Sequence, residues 1–303
     1  MQWGQIKLLF ILSFLILDLF LLQQFLSKQE QTELPQSTTT GNTVQQELEN
    51  NNITLSEEIP PEVPMVPNVT STQSEFSEEV LSDIEALEEE GSQQINFVRD
   101  NVLKATLKEP VEFTEDNVIE KVGEFVPFSN QYSYWGWNKE QNVLLFFQKT
   151  NDRTVYFNRS GFLMVKVEDG KMTEYVATLL SFEDEEVEKE TSLISPMTTV
   201  KRLLDEGKIE TGDEITSMNI GYLNGITLSP GEENGPQVFG PTWKVTVNGE
   251  ENHFVYAIDG KIFPVDEENF IQTAKESYEM TDSAEPPSES ESENSEESSG
   301  ETN

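Results

Sequence analysis

Val165-Lys166-Val167-Glu168-Asp169-Gly170-Lys171-Met172 and, later in the chain, Val255-Tyr256-Ala257-Ile258-Asp259-Gly260-Lys261-Ile262 match in position and kind. Asp-Gly between apolar runs signals a β-hairpin, because a type I′ turn needs positive φ at both central residues. Before the first copy, residues 143–149, 154–158 and 162–167 have strand character, and the turn leads into 172–182. This unit opens on Thr114-Glu115-Asp116-Asn117, read as the cap of a helix that carries Val118, Ile119 and Val122 and ends near Gly123. The second copy follows the same order. Ser195-Pro196 provides an N-cap with Pro at the first helical position, and Val200, Leu203 and Leu204 form the apolar face up to a stop at Gly207. Strands are expected at 215–222, 242–247 and 253–258. A helix followed by an antiparallel meander, twice, predicts an α+β domain of two related lobes, 76–194 and 195–275, each helix covering one face of its sheet. A short helix over 74–90, with Phe76, Val80, Leu81, Ile84 and Leu87 at helical spacing, Ser74 as its cap and Gly91 as its stop, opens the first lobe. The aromatic cluster of Tyr132, Tyr134, Trp135 and Trp137 is read as core or inter-lobe packing.

Upstream lies LLFILSFLILDLFLLQQFL, residues 8–26, in which fifteen of nineteen side chains are Leu, Ile or Phe. As a helix it reaches about 29 Å, the hydrocarbon thickness of a bilayer. The run ends in Gln23-Gln24-Phe25-Leu26-Ser27-Lys28 without a small-residue cleavage pattern, so an uncleaved single-pass anchor is expected. Residues 1–7 would then be cytoplasmic and the long remainder outside the cell, with Trp3 near the headgroups. Asp18 interrupts the run. A carboxyl at mid-helix costs about 2.5 to 3.5 kcal/mol on insertion scales, so it either meets a partner or turns back on its own helix. Its neighbours at helical spacing, Ile11, Phe14, Leu15, Leu21, Leu22 and Phe25, form a candidate docking stripe with it.

The chain carries 57 acidic and 19 basic residues, a net charge of −38, and no cysteine. Residues 29–98 hold fifteen carboxylates and no Lys or Arg, and residues 276–303 hold ten and again none. Such composition predicts solvated tethers, a spacer over 27–75 and a tail over 276–303. The charge repels nucleic acid phosphates. Missing cysteine closes lipoprotein acylation and thiol catalysis.

Other chemistry finds little footing. His253 is the only histidine and sits in a strand, where a structural role is the ordinary one. There is no Walker A loop and no HExxH motif, and in so acidic a chain no carboxylate pair stands out as a glycosidase site. Ser195 with Lys201 is the nearest Ser-Lys pair, although that serine is better read as a helix cap. No catalytic, cofactor-binding or metal-binding residue is expected.

Four stretches of the sequence carry a family resemblance. The opening WGQIKLLFILSFLILDLFLLQQF, residues 3–25, resembles the anchor of the YycI family, membrane-anchored regulators of the WalK/WalR (YycG/YycF) two-component system of Gram-positive bacteria with low genomic GC. Ile220-Gly221-Tyr222-Leu223, Pro241-Thr242-Trp243-Lys244-Val245 and Tyr256-Ala257-Ile258-Asp259-Gly260-Lys261-Ile262 resemble the end of the YycH/YycI type of extracellular domain. The resemblance covers the anchor and residues 76–263, leaving out the acidic spacer and the tail. It implies a non-enzymatic protein that, with a YycH-like membrane partner, contacts a WalK-type sensor histidine kinase through membrane helices and so adjusts cell-wall metabolism. The Trp-Lys-Val strand and Asp-Gly-Lys turn also look like PepSY modules, which implies as an alternative an anchored inhibitor or chaperone of an extracellular peptidase.

Overall fold

Two seven-stranded sheets and six α-helices make up the described part of the computed structural model, residues 3–32, 38–56, 59–60, 63–72, 75–183, 192–225 and 235–280. Helices α1 (Trp3–Thr32) and α2 (Thr38–Asn50) come first, then β1 (Thr54–Leu55), β2 (Val69–Thr72), α3 (Glu78–Glu90), the hairpin β3 (Gln93–Arg99) and β4 (Val102–Glu112), and α4 (Val118–Phe125). There follow β5 (Tyr132–Asn138), β6 (Val143–Thr150), β7 (Arg153–Thr154), β8 (Phe162–Glu168), β9 (Lys171–Thr178), β10 (Ser181–Phe182) and α5 (Pro196–Asp205). β11 (Glu214–Leu223), β12 (Gln237–Val247), β13 (Glu251–Tyr256), β14 (Ile262–Phe263) and α6 (Glu267–Ser277) complete it.

The first sheet runs β3-β4-β9-β8-β6-β5, all antiparallel, with β7 beside β6. Strand β6, between β8 and β5, reads Val-Leu-Leu-Phe-Phe because both faces are covered, and successive side chains point to opposite faces. Leu144 and Phe146 join Leu163, Val165 and Tyr175 under α3 and α4, whose Val80, Ile84, Val118, Val122 and Phe125 are buried there. Val143, Leu145 and Phe147 join Phe162, Met164 and Val176 on the other face, under Phe270, Ile271 and Ala274 of α6.

The second sheet runs β1-β11-β12-β13-β14, with β1 parallel to β11; β2 pairs with the start of β12 and β10 with β2. Helices α2 and α5 contribute Val44, Leu48, Val200 and Leu203 to its core around Trp243. The indole of Trp243 donates to the Ile194 carbonyl at 3.0 Å, so the buried ring leaves no polar atom unmet.

Several expectations are corrected. The segment 27–75 is not a free tether: α2 packs on α5, the Lys201 ammonium meets Glu47 at 3.0 Å, and Val44, Leu48, Ile53, Val66 and Val69 are buried. Few but well-spaced apolar side chains suffice when a neighbouring helix and sheet complete the burial. Of the tail, residues 276–280 are ordered onto the first sheet, with Tyr278 and Met280 buried, while 281–303 lie outside the described residues. The lobe boundaries at 76, 194 and 275 do not separate two cores, since β10 belongs to the second sheet and α6 covers the first. Ser77, not Ser74, caps α3, its hydroxyl accepting from the Val80 amide; Ser74 lies outside the described residues. Asn117 precedes α4 but turns its side chain back to the Thr114 amide, and the helix runs past Gly123 to Phe125. Ser195 caps α5 as expected, accepting from the Thr198 amide at 3.1 Å, with Pro196 inside the first turn.

The two Asp-Gly turns differ. Asp169 and Gly170 both have positive φ and join directly paired Glu168 and Lys171, the tight turn the dipeptide predicts. Around Asp259-Gly260 only the glycine has positive φ, and the flanking pair is Val255 with Ile262, which makes a wider loop. Its cause is Ala257, which leaves β13 to donate to the Pro241 carbonyl and accept from the Ile194 amide.

Candidate interaction surfaces

The seven residues of the docking stripe lie on α1. Ile11, Phe14, Leu15, Asp18, Leu21 and Leu22 are exposed, as is every residue from 11 to 24; the side chain of Phe25 lies outside the described residues. At helical spacing the six share one side of α1. Among the described residues no helix is long and apolar enough to cross a membrane.

The second surface is the seam where the two sheets meet. Residues 153–156 cross from the first sheet to the second: Thr154 pairs with Lys149 on β6, Val155 bridges Tyr222 on β11, and the Tyr156 amide donates to the Tyr222 carbonyl at 2.8 Å. A Cβ at Gly221 would stand 2.5 Å from the Thr154 carbonyl oxygen, so glycine alone lets the backbones pass so close. At Gly240 the ring of Tyr256 occupies the place a Cβ would take.

Aromatic rings fill the seam from both sides. A bulge in β5 leaves Trp135 without a partner between Tyr134, opposite Phe146, and Gly136, opposite Leu145. The extra residue re-aims the strand. Tyr134 and Trp137 pack toward α4, Trp137 against Phe113, whereas Trp135 turns to the other face beside Phe147, Phe157 and Phe254. The packing role expected for the cluster is therefore what these rings perform. Phe157 has φ 49, a strained value for a bulky side chain. Its ring touches Phe147 of the first sheet at 4.6 Å, Phe254 of the second at 5.7 Å and Phe270 of α6 at 5.5 Å. Three elements thus hold the strained residue.

Helix α6 is clamped at both ends. Glu267 accepts from the Trp135 indole at 2.8 Å and from Asn138 at 3.0 Å. The Lys104 ammonium donates to the carbonyls of Tyr278 and Glu279 and pairs with Glu174 at 2.6 Å, while Lys275 donates to the Gln141 carbonyl at 2.6 Å. Cations at the last turn also suit the helix dipole.

Two cavities open along the seam, and another lies beside the second sheet. One of 330 Å³ is lined by Asn158, Gln237 and Phe270 among others, and its amides already serve one another: Asn158 and Asn224 both donate to Gln237 Oε1. A second, of 750 Å³, carries Arg202, Lys208, His253 and Lys261 beside Glu206, Glu251 and Asp259, with Arg202 near Glu206 at 3.8 Å and His253 near Glu251 at 3.3 Å. The third, of 250 Å³, is lined by Trp135, Arg153, Asn219 and Lys244 among others. Lys244 escaped sequence reasoning as a site residue, although a lone cation inside the apolar run Trp-Lys-Val was the signal.

Burial pushes the His253 imidazole below its usual range, against the pull of Glu251. The unfolded chain, with a histidine pKa near ~6.5, then takes up its proton first, so the stability this group permits is complete above that value and falls as the medium is acidified toward the folded pKa. Urea titrations at neutral and mildly acidic pH are expected to show His253→Gln losing less stability on acidification than the wild type; parallel losses would remove the histidine from the response.

Ser195 and Lys201 do not form a catalytic pair. Hydrogen bonds to Asp205 and Glu47 raise the lysine pKa, the opposite of what a general base needs. Among the described residues no cluster of three or more His, Asp or Glu side chains could hold a metal ion.

A family model described as YycI protein matches residues 30–259. The matched range includes α2 and β2, which the resemblance of the sequence left out, and begins after residues 3–25. No curated protein matches the chain.

Proposed function

Because the chain belongs to the YycI family, a regulatory family of the WalK/WalR system, we propose that it is a membrane-anchored regulator that adjusts a WalK-type sensor histidine kinase together with a YycH-like membrane protein, and so cell-wall metabolism. The family match over residues 30–259 carries this reading. On this reading the run 8–26, of which the described side chains cover only residues 11–24, is the anchor, with the N-terminus cytoplasmic and the two-sheet domain outside the cell. The stripe of Ile11, Phe14, Leu15, Asp18, Leu21, Leu22 and Phe25 meets the kinase helices. Exposure of the described members of that stripe supports it, because a contact surface must be left uncovered by its own chain. The clamped seam supports a domain that acts as one body on its anchor, since α6 and residues 153–156 tie the sheets together.

Topology is tested on intact cells stripped of their wall. Added protease is expected to remove the two-sheet domain while a cytoplasmic marker survives. Complete protection of the domain would refute the orientation.

A further inference from the structure

The 250 Å³ cleft at the seam holds two cations from opposite sheets, and neither has a carboxylate partner among the described residues. Lys244 lies in the middle of β12, half-buried, across from Asn219 on β11 and Phe254 on β13. Its ammonium sits 4.9 Å from the centroid of the Trp135 ring and forms no ion pair. Lys104, Lys166 and Lys201, by contrast, each find a carboxylate within 3.0 Å. Taking an ammonium out of water without a counter-charge is costly, and burial accordingly lowers the Lys244 pKa. Arg153, from β7, shows the same deficit: one Nη donates to the Asn151 carbonyl at 3.0 Å, while its Nε is buried with no acceptor. Asp152 is on the exposed rim and pairs with neither cation.

We propose that this cleft binds the carboxylate of a small polar ligand between Lys244 and Arg153, against the Trp135 ring. A guanidinium and an ammonium share a carboxylate well, the first by its fork of donors and the second as a point charge. Trp135 holds the ammonium in place by its ring face. The net charge of −38 favours a monoanion over a phosphate dianion, because the repulsion of the whole chain grows with the charge brought in. A volume of 250 Å³ is below the ~300–1,000 Å³ of drug-sized sites, so the ligand is a small acid or the carboxyl end of a short peptide. The site stands independently of any contact made by α1.

Calorimetric titration of the full chain in detergent, at constant ionic strength, tests the assignment with four probes: acetate, N-acetyl-alanyl-alanine, the same dipeptide as its C-terminal amide, and inorganic phosphate. Saturable binding of a carboxylate, none of the amide, and a loss of about tenfold or more in affinity for Lys244→Met and for Arg153→Gln are expected. Lys201→Met, which alters a lysine already paired, should bind as wild type. A tighter dipeptide than acetate would identify a peptide end, and equal affinities a free acid. Absence of saturation with either carboxylate, equal binding of the amide, tighter binding of phosphate, or unchanged affinity in the Lys244 and Arg153 variants would each overturn the proposal.

Discussion

A chain ending after Val265 is expected not to fold, although it keeps every strand of both sheets. Helix α6 and the residues just beyond it bury Phe270, Ile271, Tyr278 and Met280 against Phe147, Phe162 and Met164. At roughly 1.5 to 3 kcal/mol for each large apolar side chain, these four supply about 6 to 12 kcal/mol, which equals the whole stability of an ordinary domain at ~5 to 15 kcal/mol. The truncation also strips Lys104 of two carbonyl acceptors and Trp135 of Glu267. Loss of a cooperative thermal transition, with rapid proteolysis, is the expected result, whereas removal of residues 281–303 alone leaves the transition unchanged. A truncated chain that still melts cooperatively near the wild-type temperature would show that the first sheet can keep its outer face uncovered.

How much of this was legible in the sequence depends on where each side chain finds its partner. The Asp169-Gly170 turn and the Ser195-Pro196 cap were readable because their causes are local: two positive φ values, and one hydroxyl meeting an amide three residues on. The Asp259-Gly260 loop has the same letters and a different shape, because Ala257 is drawn away to Pro241 and Ile194. Helix α2 was hidden by its composition, since Val44 and Leu48 acquire meaning only against α5. For α6 the signal was present and unread: Asp266 caps it by accepting from the Asn269 amide, and Phe270, Ile271 and Ala274 follow at helical spacing. The candidate sites divide along the same line. A stripe on one helix follows from spacing alone, but the cleft of Lys244 and Arg153 joins strands from two sheets through a bulge and a crossing that no local pattern announces.

On the proposed reading, replacing Asp18 by Leu is expected to leave the protein in the membrane and to weaken its recovery with the kinase by roughly threefold to thirtyfold. Helices in lipid gain little from hydrophobicity against one another, so specific association rests on packing shape and on the few polar groups. Within residues 8–26 those groups are Ser13, Asp18, Gln23 and Gln24, and Asp18 is the sole ionisable one. Interhelical hydrogen bonds in such settings are worth about 0.6 to 2 kcal/mol, which sets the expected range. Asp18→Leu also removes an insertion cost of about 2.5 to 3.5 kcal/mol, so membrane levels should hold or rise while association falls. That opposition separates a lost contact from a lost anchor. Asp18→Asn keeps a hydrogen-bonding group of the same size and should fall between the two. The measurement is co-purification of the kinase at matched membrane levels, with target-gene output read in the same strains. Equal recovery with wild type and both variants would place the contact on the two-sheet domain instead of the helix.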